Sequence, residues 1–256
     1  MAGKTAKTAL HAARMTQAGD SDTALRAVRD IGEAMGIPTV TVIDDLSSLS
    51  ALIGYRRDKP IFESNLPPKF RDTWNRRQYR LNNPVYLACR TESVPFIWRV
   101  DAEGWSIPIA IDAAQRRILN YAASFGMTGG ICVPIHAPRG HIGCINFIAS
   151  AERDFERLLE EWRSTLIVAG VYFMRAHAQP FRQDALDGLR HLTKQEVACV
   201  TFAARGMTDK QIAIELDVVP GTARFHIENA ARKPNARSRT QTVAIAAQLG
   251  LIGSVA

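Results

Sequence analysis

The sequence predicts an α+β protein in two parts. Residues 1–176 are expected to form an N-terminal α-β-α sandwich around an antiparallel sheet, and residues 191–256 an all-α unit of four short helices. Three observations predict this. Helical and extended patterns interleave from residue 20 to residue 177 and include two β-rich runs separated by a turn sequence. Three S/T-x-x-E/Q capping boxes crowd into about fifty residues of the tail. Of the 256 residues, 46% are hydrophobic, enough to bury a core in each part and to exclude wholesale disorder.

In the first part, residues 22–35 place Ala24, Val28, Ile31 and Met35 on one helical face. A β-branched run, residues 39–43, follows as a strand. Residues 67–77 read as a short helix, 96–100 as a strand, and 112–125 as a capped helix stopped by Gly126. Strands at 131–136 and 141–149 flank Ala137-Pro138-Arg139-Gly140, a good turn sequence. A long helix from Arg153 to His177 closes this part, and its residues Leu158, Leu159, Trp162, Leu166 and Tyr172 are expected to offer a dimer surface. Residues 177–190, with Pro180 and Gly188, read as a linker.

In the tail, the pairs Thr193/Glu196, Thr208/Gln211 and Ser238/Gln241 mark helix starts. The first helix carries Val197, Val200 and Ala204 inward and stops at Gly206; the second buries Ile212, Ala213 and Leu216. Pro220 opens the third, where its missing N–H costs nothing, with Ala223, Ile227 and Ala230 on one stripe. The fourth is expected to turn Val243 and Ala247 inward. Only about three residues separate helices two and three, the layout of a helix-turn-helix.

The net charge of +7 points to a polyanion, and its placement is more telling than its size. Arg224, Arg232, Lys233, Arg237 and Arg239 fall within sixteen residues that contain one acid, Glu228. Arg224, Glu228 and Arg232 repeat on the face opposite the buried stripe; Arg can bridge guanine O6 and N7, and Glu can accept from cytosine N4. The alternative for these residues is an intrahelical Glu228–Arg232 pair.

Four blocks of the tail resemble the C-terminal DNA-binding domain of LuxR-type regulators: residues 192–196 (LTKQE), 204–213 (ARGMTDKQIA), 221–227 (GTARFHI) and 239–244 (RTQTVA). The resemblance implies that Gly221 to Lys233 is a recognition helix and that Thr208, Lys210, Thr222 and His226 contact phosphate. Pro234 stands where the family has a Leu, so the helix should end by about Arg232. The first part is similar to the autoinducer-binding domain of the same family. That likeness rests on residues 66–79, Asn82-Asn83-Pro84-Val85, Pro95-Phe96-Ile97-Trp98 and residues 129–134, where Pro84, Trp98 and Gly130 match characteristic positions. It implies a ligand pocket that includes Phe70, Trp74, Tyr79, Asn83, Pro84, Trp98 and Gly130, with Trp98 facing a homoserine lactone. Three positions depart from the pattern. Phe70 replaces a Trp and loses a donor, Trp74 replaces a Tyr and should shorten an acyl channel, and Asn83 replaces the Asp that accepts from the ligand amide.

No G-x-G-x-x-G, P-loop, H-E-x-x-H or G-x-S-x-G motif is present, so neither an enzyme nor a cofactor is expected. The cysteines Cys89, Cys132, Cys144 and Cys199 lie far apart in sequence and read as buried thiols; His136 and His141 beside Cys132 and Cys144 are a weaker alternative, a metal or Cys/His site. The longest apolar run, residues 166–174, is about half a bilayer span, and the basic N-terminus lacks an apolar signal core, so a cytoplasmic protein without membrane contact is expected. The expected function is transcriptional regulation of the LuxR quorum-sensing type: a homodimer on a two-fold symmetric operator, responding to an acyl- or aryl-homoserine lactone-like molecule. Alternatives are a regulator that senses a non-lactone, such as a plant compound, or acts without ligand, and a non-DNA-binding antagonist that forms inactive heterodimers.

Overall fold

The computed structural model describes residues 2–37, 39–46, 55–56, 59–60, 66–137, 142–177, 192–233, 236–248 and 250–252. Of the features expected above, residues 178–190 of the linker, most of the 137–140 turn, His141 and Pro234 lie outside the described residues. The chain divides into two compact units between residues 178 and 179.

The first unit is built on a five-stranded antiparallel sheet of order β1-β7-β6-β4-β5. Its strands are β1 (Thr39–Ile43), β4 (Phe96–Asp101), β5 (Gly104–Ser106), β6 (Gly129–His136) and β7 (Ile142–Ala149); β2 (Tyr55–Arg56) and β3 (Lys59–Pro60) pair separately. The two-residue period of a strand sorts the side chains into two cores. Val40, Val42, Ile131, Val133, Ile135, Ile145 and Phe147 face one layer, against α2 (Ser21–Ala34) and α6 (Phe155–His177). Phe96, Trp98, Cys132, Cys144 and Ile148 face the other, with α3 (Pro68–Arg76), α4 (Pro84–Ala88) and α5 (Ala113–Ala123). The sheet is covered on both sides, as an α-β-α sandwich requires.

Local chemistry sets the helix ends. Asp20 caps α2 by accepting from the Thr23 N–H at 2.8 Å, and Asp112 and Gln115 form a two-way capping box at the start of α5. The first helix, α1 (Ala2–Thr16), is absent from the sequence reading: it is rich in Ala and Lys and has few large apolar residues to trace a stripe. It nevertheless buries Met15, and its Thr8 carbonyl accepts from Thr165 Oγ1 on α6 at 3.1 Å. This packing corrects the expected dimer surface. Leu159, Trp162 and Leu166 belong to the core of their own unit, and the apolar residues α6 leaves exposed are Ile167 and Val171, one turn apart.

The second unit consists of α7 (Lys194–Ala204), α8 (Asp209–Glu215), α9 (Pro220–Arg232) and α10 (Arg239–Gln248). Cys199, Ile212, Ala213, Ala223 and Ile227 form one small core, and Val200, Ala230, Ala246 and Ile252 another. Asp217 makes the tight turn between α8 and α9 at φ 53°, a left-handed conformation that Asp tolerates better than most side chains. The capping boxes of α7 and α8 close as expected. At α10 only half of the box forms: Gln241 N–H donates to Ser238 Oγ at 3.1 Å, but Gln241 Oε1 accepts from the Arg237 N–H at 2.7 Å. Of the two residues expected inward on α10, Val243 packs half-buried against the core, whereas Ala247 is exposed and Thr242 and Ala246 are the buried positions.

Candidate functional site

Between the sheet and helices α3 to α5 lies a cavity of about 340 Å3. Phe70 and Trp74 come from α3, where Pro67 and Pro68 start the helix and the four-residue spacing stacks their rings, 4.9 Å apart at 29°. Val85 and Tyr86 come from α4, Leu119 and Ala122 from α5, and Thr41, Trp98, Asn146 and Ile148 from the sheet. The walls are apolar and aromatic with a few polar atoms, the ordinary make-up of a small-molecule site.

The polar atoms are few enough to be traced one by one. Trp98 donates its indole N–H to Asn146 Oδ1 at 2.8 Å, with both residues buried. The indole expected to face a ligand is therefore held along the wall, reaching from β4 across β6 to β7. Gly130 makes this possible. It pairs with Trp98 across β4 and β6, and a Cβ there would lie 2.3 Å from the Phe147 carbonyl oxygen and 2.9 Å from Trp98 Nε1. Asn83 caps α4: its Oδ1 accepts from the Val85 N–H at 2.8 Å, and Pro84 follows at the first helical position.

With Oδ1 so engaged in both Asn83 and Asn146, what these amides chiefly offer the cavity is the N–H of Nδ2. Thr41 Oγ1, on β1, is buried beside the Tyr86 hydroxyl. Burial keeps the Tyr86 phenol far above its ordinary pKa, so it stays neutral.

Of the seven expected pocket residues, Phe70, Trp74, Asn83 and Trp98 line the cavity, whereas Tyr79, Pro84 and Gly130 stand behind its wall. Tyr79 meets the Trp74 ring edge-on at 5.7 Å. Thr41, Tyr86 and Asn146 are lining residues that the sequence reading missed. The available signal was a single Asn in the middle of the apolar run of β7, a polar group a central strand buries only with partners. Arg80 was missed as well: it is buried on the 3-10 turn Tyr79–Asn82, with Nη1 unpartnered among the described residues.

In the second unit, α9 buries Ala223, Ile227 and Ala230 and turns Arg224, Phe225 and Glu228 outward. Thr208, Lys210 and Arg232 are exposed, and Thr222 and His226 are half-buried. Three expectations are corrected here. Glu228 pairs with Arg224, accepting from Nε at 3.0 Å, while Arg232 reaches Asn229 at 3.3 Å, so the pair forms one turn earlier than expected. Lys233 is not an outward cation: its Nζ lies 2.6 Å from the buried carboxylate of Glu196. Arg239 is likewise tied inward, to Asp209 and to the Met207 carbonyl at 2.6 Å.

Burial raises the Glu196 carboxyl, but hydrogen bonds from Lys233 and the Thr193 N–H outweigh it and hold the group below the usual carboxylate range. Also outward, and unforeseen, are the large apolar side chains of Ile214, Val219 and Phe225. They flank the turn and the first half of α9, where thymine methyl groups would be met in a major groove.

These two sites coincide with two family models. Residues 20–176 match the autoinducer binding domain, and residues 190–246 match the bacterial regulatory proteins of the luxR family. The chain is 30% identical over 191 residues to the quorum sensing-dependent transcriptional regulator RpaR of Rhodopseudomonas palustris, over 73% of this chain and 72% of that one. It is 29% identical over 188 residues to the putative HTH-type transcriptional regulator y4qH of Sinorhizobium fredii, over 73% of this chain and only 56% of that longer one. Its fold is similar to that of Escherichia coli SdiA, with a TM-score of 0.62 at 16% identity, over 97% of this chain and 99% of that one. No helix among the described residues is long and apolar enough to cross a membrane. The chain belongs to the LuxR family of quorum-sensing transcriptional regulators, joining an autoinducer-binding domain to a helix-turn-helix DNA-binding domain.

Proposed function

We propose that this regulator works in the cytoplasm as a homodimer on a two-fold symmetric operator, and that occupancy of the 340 Å3 cavity sets its affinity for DNA. In this reading residues 1–176 sense ligand and dimerise, 177–190 connect, and 191–256 bind DNA. The exposed pair Ile167 and Val171 supports a dimer contact along α6. Arg224 and Glu228 read base edges, exchanging their mutual ion pair for guanine and cytosine contacts. Thr208, Lys210, Thr222, His226 and Arg232 hold the phosphates; Lys233 anchors the helix.

The observation that carries the ligand assignment is the state of Asn83. Its oxygen already caps α4, so the group that stands at the family's amide-binding position presents a donor. The ligand is a flat molecule with a carbonyl or ring oxygen facing Asn83 and Asn146, and an aromatic body stacked on Phe70 and Trp74. Aryl-homoserine lactones and plant aromatic carbonyl compounds share this chemistry. Long-chain acyl lactones, which have no aromatic body to stack on Phe70 and Trp74, fit it poorly.

Selection of bound sites from a random DNA library, with and without an aryl-lactone and plant-phenolic panel, tests the reading. Paired half-sites about 10 bp apart, enriched in a ligand-dependent way, are expected. Single half-sites bound by a monomer, or selection indifferent to every compound, would overturn it.

A further inference from the structure

Cys89, Cys132 and Cys144 are separated by up to 55 positions in sequence, yet their Sγ atoms all lie within 4.8 Å of one another. Each arrives by a different element. Cys89 ends α4, while Cys132 on β6 and Cys144 on β7 share the sheet face that carries Asn146. Cys89 Sγ is 3.4 Å from Cys132 Sγ, and all three thiols are buried. None of them lines the ligand cavity.

We propose that these three cysteines form a second binding site, a three-sulfur pocket for a soft, thiophilic ion of the monovalent copper or trivalent arsenic class. Metal–sulfur bonds of about 2.3 Å place three sulfurs around one ion at mutual separations of roughly 3.5–4 Å, close to what the folded chain already holds. The donor set selects the class. No His, Asp or Glu joins the cluster among the described residues; the imidazole of His136 directs Nε2 to the Cys89 carbonyl oxygen at 2.8 Å. Three sulfurs without a fourth ligand leave zinc under-coordinated, whereas soft ions accept three thiolates.

Burial sharpens the choice further, because an uncompensated charge is costly in an apolar core. Arsenous acid reacts with three thiols to give a neutral trithiolate and three waters: three As–O bonds break, three As–S bonds form, and no electron is transferred. Cuprous ion displaces a single thiol proton to solvent, which leaves one thiolate and two neutral thiol donors around the ion and no net charge in the core. In the free cluster the Cys89 thiol donates to the Val85 carbonyl oxygen at 3.3 Å. An ion here ties the end of α4, whose first turn is capped by Asn83, to the two central strands.

The test uses the full chain, reduced and free of oxygen, titrated separately with arsenite, with cuprous ion held by a competing chelator, and with zinc. One arsenite or cuprous ion per chain, three sulfur neighbours by X-ray absorption, and a raised melting midpoint are expected. Cys132→Ser and Cys144→Ala, each checked for fold by circular dichroism, should lose the ion, whereas Cys199→Ser, in the other unit, should keep it. Failure to bind either soft ion, a sulfur count of two, retention in Cys132→Ser, or tight zinc binding through a fourth ligand would each overturn the proposal.

Discussion

The sensing unit and the DNA-binding unit use polar side chains in opposite ways. In the sensing unit, the residues whose types promised ligand contact are engaged by the protein: Trp98 donates to Asn146 and Asn83 caps α4. In the DNA-binding unit the charged residues divide. Lys233 and Arg239 are drawn into ion pairs that fix the helices, while Arg224 keeps an exposed, exchangeable partner in Glu228. An exposed pair of this kind is worth at most about 1 kcal/mol and is given up to a base without loss of fold. A buried polar bond is part of the fold itself. The cavity is therefore shaped by polar bonds that belong to the fold, whereas α9 keeps exposed charged groups that the fold does not need.

The largest expected effect that would break this comparison is Gly130→Ala. The added Cβ meets backbone oxygen at 2.3 Å, so we expect a loss of about 3 kcal/mol in the sensing unit with the tail unchanged, read by urea unfolding with unit-specific probes. Next, Lys233→Ala and Arg224→Ala should separate. Removing the lysine leaves the buried Glu196 short of a partner and costs about 2 kcal/mol of stability without changing base preference. Removing the arginine should leave stability within about 0.5 kcal/mol and erase about 2 kcal/mol of preference at one operator position, measured by competition binding. Uniform weakening on all sequences would mean that Arg224 touches only phosphate.

Asn83→Asp keeps the helix cap but replaces the Nδ2 donor by a charged acceptor. It should shift ligand preference about tenfold toward compounds that carry an amide N–H, in parallel dissociation constants. The smallest effect is a pH dependence confined to the second unit. The Glu196 carboxyl is depressed in the folded state, so the stability it contributes is present above the ordinary carboxylate pKa and is lost as pH falls through the lower folded value. Glu196→Gln should flatten that acid limb in thermal melts.

Much of this architecture was legible in the sequence because the signals were local. Capping boxes, Pro220 and Gly206 mark helix boundaries through chemistry within four residues. The strands at 39–43 and 131–136 read directly from β-branched runs. What escaped was set by distant partners. Helix α1 shows no stripe of large apolar residues and is held by its packing on α6, and nothing local to Leu159, Trp162 and Leu166 distinguishes a core face from a dimer interface. Asn146 and Thr41 carry no motif, and three cysteines spread over β6, β7 and α4 meet only when the sheet forms. Phe70 and Trp74 were assigned to the cavity wall by resemblance, but the partner of the Asn83 oxygen could not be read from that likeness.

A cavity that takes a flat, acceptor-bearing ligand and controls DNA binding through its occupancy should register that ligand in its own stability. The most direct measurement is the melting midpoint of the sensing unit in the full chain, with equal concentrations of aryl-homoserine lactones, plant aromatic carbonyl compounds and long-chain acyl lactones. A concentration-dependent rise is expected with at least one aromatic acceptor compound, of about 2.7 kcal/mol at a hundredfold excess over its Kd, and little with the long-chain lactones. A rise with long-chain acyl lactones alone, or with none of the three classes, would contradict it.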